Sequence, residues 1–249
     1  MKVRSGFFVS LIFAWFALPL SSKDLPDFPF KAGEKLEYDI SWGFIPVGRA
    51  TLEINLIKEA PLKYWQINFS VSTNDFADAF YKVRTRVRSE VDYSFTKSLY
   101  YSKNQQEGKT VKSVDVKFDY EQKLCFYSEN SRKNKPLLIG GNVFDPLSIV
   151  YAFRLHPHKK GERKVISTCD GKKTLAISIK VGEKEQVRVP LGKFTTHSAT
   201  PEMKNLSGVF KKSPKGILRV WYSVDDKRIP ILIKSKVVVG SFTAKLRKA

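Results

Sequence analysis

From Glu34 onward apolar and polar residues alternate, and this period of two limits the possible folds more than any other feature of the chain. Trp65, Ile67, Phe69 and Val71 fall on one side of an extended segment; Gln66, Asn68, Ser70 and Ser72 fall on the other. The pattern recurs at Val114, Val116, Phe118 and Tyr120, and again at Leu175, Ile177, Ile179 and Val181. Leu218, Val220, Tyr222 and Val224 repeat it, as do Ile231, Ile233, Ser235, Val237 and Val239. Neighbouring side chains of a strand point to opposite faces, so each run predicts a strand with one dry and one wet side. Adding "KLEYDISW", "GRATLEINLI", "KVRTRVRSEV" and "EQVRVPLG" gives about ten strands.

One-sided burial marks antiparallel sheet, because parallel strands are covered on both faces and read as continuous apolar runs. Gly108, Gly161, Gly171, Gly182, Gly192 and Gly216 punctuate the runs, and no long helical period separates them. So many strands leave edges that must be removed by curling or by folding over. The expected fold is therefore mainly β: a large curved antiparallel sheet, half-barrel-like or partly closed, with one or two short helices plugging its concave face.

The plug is expected at "NVFDPLSIVYAFR", residues 142–154. Asp145 suits a helix cap, and Pro146 suits the first helical position, where no N–H is needed. Leu147, Ile149, Val150, Tyr151, Ala152 and Phe153 then run almost all round the helix, with Ser148 the polar exception. A short helix that is apolar on nearly every side is buried. Arg154 would mark its exit to water, and a second helical turn over Asp75 to Tyr81 would cover the same mouth.

Residues 1–22 read as a secretory signal, with Lys2 and Arg4 ahead of an apolar run from Phe7 to Leu18. An uncleaved anchor is the alternative. No Cys follows the run to accept lipid. The expected organisation is a signal over 1–22 and a single β-rich domain over 23–249, exported to the periplasm as a monomer. The whole chain carries a net charge of +20, and removing Lys2 and Arg4 leaves +18. Such a balance favours anionic partners, namely lipid or glycan, or an envelope protein. Export argues against nucleic acid. A soluble protein from a proteome of high isoelectric point is the plainer explanation of the charge.

Cys125 and Cys169 are the two cysteines. In an oxidising compartment they are expected to pair as a disulfide; two buried free thiols are the alternative.

Four stretches resemble a known family: "GEKLEYDISWGFIPVGRATLEI" (33–54), "FDPLSIVYAFR" (144–154), "VPLGKFTT" (189–196) and "VWYSVDDKRIPILIKSKVVVGSFTAKL" (220–246). In this order they are similar to the exported bacterial proteins grouped as domain of unknown function 3108. The resemblance implies an envelope protein of antiparallel strands and carries no activity and no functional residues. In architecture the expected sheet is also similar to the open half-barrels of periplasmic lipoprotein carriers, a likeness of fold alone.

Catalysis is not written in the chain. It has no G-x-S-x-G elbow, no H-E-x-x-H and no glycine-rich phosphate loop, and Ser94 with Lys97 is a bare S-x-x-K without its partner motifs. His156, His158 and His197 are too few and too surrounded by cations for a metal site, and no cofactor is expected. Asp225 and Asp226 read as a hairpin turn ahead of Pro230.

The sharpest feature is the row Lys82, Arg84, Arg86 and Arg88, four cations on one strand face opposite Val83, Val87 and Val91. Repulsion along such a row calls for compensation. Acids on a neighbouring strand supply it in one reading, an anionic ligand in the other, since guanidinium forks match phosphate and carboxylate. The expected function is a non-enzymatic envelope binding protein that holds or transfers a lipid-like anionic amphiphile. Leu147, Val150, Tyr151 and Phe153 would meet its chain and Arg84, Arg86 and Arg88 its head. The alternative is a structural or assembly factor that binds acidic glycan or an outer-membrane partner through a basic surface.

Overall fold

A computed structural model describes residues 27–59, 61–202, 217–237 and 240–249. The expected signal over 1–22 and the basic loop 204–216 lie outside the described residues.

Among the described residues fifteen strands form one antiparallel sheet, more than the ten or so expected. The first run is β1 (Glu34–Trp42), β2 (Ile45–Glu59), β3 (Leu62–Thr73), β4 (Val83–Asp92), β5 (Ser98–Glu107), β6 (Thr110–Asp119) and β7 (Leu124–Glu129), each paired with the next. The short β8 (Arg132–Lys133) and β9 (Leu137–Leu138) both lie against β7. A second run holds β10 (Arg163–Cys169), β11 (Thr174–Val189), β12 (Gly192–Pro201), β13 (Ile217–Ser223), β14 (Pro230–Val237) and β15 (Gly240–Lys248). Its last strand returns to the first, with Tyr38 of β1 opposite Leu246 of β15. The two runs thus become one sheet ending in β10 on one side and in β7, β8 and β9 on the other.

The period-two pattern explains which way this sheet curls. Leu36, Ile54, Trp65, Ile67, Val91 and Val116 are inward and buried. Their polar neighbours remain on the convex side, which suits a sheet with one dry face. The N-terminal residues Phe28 and Phe30 stack beneath it, 5.3 Å apart and nearly parallel, and Phe30 meets Trp65 edge-on.

The sheet does not close, but its edges are drawn together. Phe144 bridges to β10: its N–H donates to Ser167 O at 2.9 Å and its carbonyl accepts from Cys169 N at 2.9 Å. The β10–β11 turn leans over β6 and β7. Its Gly171, at φ +86°, packs so tightly on Tyr127 that a Cβ there would lie 2.5 Å from the ring, a place open only to glycine. Lys172 beside it pairs with Glu129 at 2.9 Å. Three cationic and hydroxyl donors, Lys112, Tyr127 and Lys172, hold the Glu129 carboxyl down to about 2.

Among the described residues two helical pieces accompany the sheet. α1 (Asp75–Asp78) follows an Asn74 cap, whose side chain accepts from Ala77 N. It buries none of its residues, so it does not cover the concave mouth as expected. α2 (Ile149–Ala152) continues as a 3-10 turn over Phe153–Leu155 and lies inside the curve.

Candidate functional site

The plug is held by one buried carboxylate. Asp145 Oδ1 accepts from the N–H groups of Leu147 (2.8 Å) and Ser148 (3.0 Å), as a cap should. Its Oδ2 accepts from the hydroxyls of Ser89 on β4 (2.5 Å) and Ser98 on β5 (2.6 Å). The capping role of Asp145 was legible; the serines that anchor it to the sheet were not.

The helix that follows divides its sides between two surroundings. Leu147, Tyr151 and Ala152 join the main core, where the Tyr151 ring meets Phe30 edge-on at 5.1 Å. Ile149, Val150 and Phe153 border a partly open cavity of about 220 Å³. Its other walls include Ile177 and Ile179 of β11, Ala199 of β12 and Val220 of β13. Asp170 and Lys173 stand on its rim. Among the described residues much of the hollow is thus filled by the chain itself, and an apolar pocket lies beside α2. Drug-sized ligands occupy roughly 300–1,000 Å³, while a dry cavity of about 150 Å³ takes benzene. This pocket suits a short acyl or ring-sized apolar group.

Behind the pocket wall, His158 stacks on Phe153 with ring centroids 4.3 Å apart and meets Tyr222 edge-on. Its Nε2 lies 3.0 Å from Phe153 O. Burial pushes the imidazole down to about 4, with the charges of Lys164 and Arg228 acting the same way.

Arg154 does not lead out to water. It is fully buried, and its guanidinium donates to both carboxylate oxygens of Glu34, at 2.6 and 2.8 Å. Nη2 also donates to Pro29 O, and Nε and Nη2 both donate to Lys227 O. A buried cation must be paired, and here the partner comes from the first strand.

The arginine row occupies the other side of the sheet from the plug. Thr85, Ser89 and Val91 of β4 are buried, so Arg84, Arg86 and Arg88 face outward. Arg84 donates to Asp78 at 2.5 Å and to Thr73, and the hydrogen bonds that Arg84 and Thr73 each donate to Asp78 hold its carboxyl below its usual range. Arg88 pairs with Glu90 at 2.5 Å. Arg86 makes no hydrogen bond or ion pair among the described residues. The expectation of one site, with its chain at Leu147, Val150, Tyr151 and Phe153 and its head at the arginines, is therefore corrected: a sheet stands between them. Compensation for the row comes mainly from acids, one of them on the same strand.

The inner face has a polar end that the sequence did not reveal. Lys103 and Gln105 of β5 lie in register with Val114 and Lys112 of β6, on the side of the buried Tyr101 and Val116. Burial lowers the Lys103 amine below its ordinary value. Lys112 pairs with Glu129 at 2.8 Å.

Cys125 and Cys169 are both buried, one on each edge region of the sheet, with their sulfurs 3.8 Å apart. They stand as two free thiols, not as the bonded pair expected.

Such a molecule is an open, barrel-like β protein with an internal plug and an apolar pocket beside it. The chain belongs to the family described as "Protein of unknown function (DUF3108)", whose model matches residues 37–247. Among solved structures it is similar to a beta-barrel-like protein of domain of unknown function DUF1849 from Brucella abortus. The TM-score is 0.55 and the identity 14%, over 86% of this chain and 95% of that one. At that identity the likeness shows the fold alone. No curated protein matches the chain.

Proposed function

We propose that the protein is a non-enzymatic binding protein of the cell envelope that takes the apolar part of an amphiphile into the pocket beside α2. The observation that carries this reading is the pocket itself: about 220 Å³, partly open, with Ile149, Val150, Phe153 and Ile177 in its walls. Water gains little in such surroundings, whereas an apolar group gains the burial of its surface. An anionic head emerging from it would meet Lys173 on the rim, not the outward arginines. The signal-like residues 1–22 support export.

Native mass spectrometry of the purified chain, with organic extraction, tests the reading. A bound amphiphile is expected, together with displacement of a fluorescent fatty-acid probe. Ala199→Phe fills the pocket and should weaken the probe by about tenfold or more. Absence of both extracted ligand and probe binding would overturn it.

A different observation favours a second reading, an assembly factor that binds acidic glycan. Outward side chains of Ser70, Ser72, Arg86, Asn104 and Ser113 line a shallow trough of about 500 Å³. Hydroxyls, amides and one unpaired guanidinium suit a hydroxyl-rich polyanion. Salt-sensitive retention on cell-wall fractions, lost in Arg86→Glu, is the expected result; retention unchanged by that variant excludes the trough.

A further inference from the structure

Adjacent hairpin tips at one end of the sheet hold aromatic side chains in water. Phe44, in the β1–β2 turn, is 94% exposed, and Phe80, just after α1, is 79% exposed. Phe76 and Tyr81 beside it are more than half exposed, and Trp42 and Phe242 nearly so. The tips touch one another. Asn74 donates through Nδ2 to Pro46 O at 3.0 Å and through its backbone to Val47 O at 2.9 Å. The rings of Phe76 and Phe80 lie 5.5 Å apart. Gly108 N donates to Lys82 O at 2.8 Å, which sets the β5–β6 turn and its Lys109 beside Tyr81.

Single exposed apolar residues are ordinary, but six aromatics on neighbouring tips are not. Phe76 adds nothing to the core, since α1 buries none of its residues, and Phe44 and Phe80 lie almost wholly in water. Phenylalanine rings enter the head-group boundary as apolar anchors, and Tyr81 and Trp42 suit it with a dry ring and a wet polar group. Charge points to the same partner. Lys82, Lys109 and Lys236 are exposed at these tips, and the chain as a whole carries +20, a field that draws it to an anionic surface. Turns with open backbone groups are not tolerated in hydrocarbon, so only the side chains would enter. Among the described residues no helix is long and apolar enough to cross a membrane.

We infer that this end of the protein docks on an anionic lipid bilayer. Phe44, Phe76, Phe80 and Tyr81 enter the head-group boundary, and Lys82 and Lys109 meet lipid phosphates. The docking stands whether or not the pocket holds an amphiphile. It also sets the pocket at the membrane side, because Pro201 and Leu218 of its lining lie where β12 stops and β13 starts, at the same end of the strands.

The test uses the full chain labelled with an environment-sensitive dye at Thr110→Cys, beside the tips, or at Gln122→Cys, in the turn at the opposite end. Both native cysteines are buried, so labelling is selective. Vesicles of phosphatidylcholine with about 30% phosphatidylglycerol, carrying a lipid quencher, are expected to quench the dye at 110 and not at 122. Roughly 0.5 M salt should weaken the apparent affinity by about tenfold. The double variant Phe44→Ser, Phe80→Ser should weaken it by about tenfold as well, with its thermal midpoint unchanged because both rings are already in water. No quenching at 110, equal quenching at both positions, or undiminished binding by the double variant overturns the inference. So does dimerisation in the absence of lipid that the double variant abolishes, since a second copy would then be the partner. Vesicle docking with an empty pocket would leave this inference standing and sink the amphiphile reading.

Discussion

Arg154 and Glu34 stand 120 residues apart in the chain and form a two-armed ion pair under the plug, with guanidinium-to-carboxylate distances of 2.6 and 2.8 Å. The pair locks the end of the α2 region to the start of β1. Burial opposes the Arg154 charge, and the hydrogen bonds and charge of Glu34 outweigh it, so its pKa lies above the ordinary value. Removing one partner leaves an uncompensated buried ion. Arg154→Met or Glu34→Gln alone should cost about 3–5 kcal/mol of stability in chemical denaturation, and replacing both with apolar residues should cost clearly less. Equal losses for the single and double changes would show that the pairing itself is not the source.

Asp145 is the second point of attachment. Its four hydrogen bonds reach two backbone N–H groups of the plug and two serines of the sheet. A hydrogen bond to a charged group is worth about 1.5–3 kcal/mol, and an orphaned buried donor costs a similar amount. Asp145→Ala should therefore destabilise by about 3 kcal/mol or more. Asp145→Asn, which keeps one acceptor oxygen, should lose less. Hydrogen exchange should show faster opening of residues 146–152 in both.

The fold was legible where a long run of alternating apolar residues marks a dry face, and hidden where that run is short, as in β7, or broken. The alternation of Trp65, Ile67, Phe69 and Val71 gave β3, with Trp65 and Ile67 buried. β5 was hidden because its inward positions include Lys103 and Gln105, so no apolar period survives. β12 was hidden for the opposite reason: Thr196, His197, Ser198 and Ala199 are all buried, so both faces are covered. β11 appeared as two separate runs because its register shifts between Val181 and Lys184. The helix composition of 147–153 announced a plug, but no local pattern tells that Arg154 would find Glu34 across the fold. The arginine row was legible as a face; which face it was depends on the burial of Thr85, Ser89 and Val91, two of them polar.

His158 gives the pocket wall a dependence on acid. Its folded pKa of about 4 lies below the ordinary value of 6.5, so the unfolded chain takes up the proton first. The stability it contributes is complete above about pH 6.5 and is lost as pH falls towards 4. The gap corresponds to about 3 kcal/mol. Urea denaturation across this range should show that loss, and His158→Phe, which keeps the stack on Phe153 and Tyr222, should remove that share of the slope. A slope unchanged by the substitution would assign the acid sensitivity to the carboxylates.

Cys125 and Cys169 face each other where the edges of the sheet approach, and their chemistry follows from that place. The sulfurs are 3.8 Å apart, and a bond of about 2 Å needs only a small closing of the seam. Hydrogen bonding with Cys125, and then the Gly171 N–H at 3.4 Å, holds the Cys169 thiol down to about 7 despite its burial, so a thiolate is within reach near neutral pH. A small oxidant should therefore join the two within one chain, with a mass loss of two hydrogens and no dimer on a non-reducing gel. The sequence separation is 44, and closing such a loop stabilises by about 4 kcal/mol in the chain-entropy model. For a domain of this size that is a rise of roughly 10 °C in thermal midpoint. Cys169→Ser should abolish both the mass change and the rise. Oxidation without any rise would mean that the bond strains the seam as much as it constrains the unfolded chain.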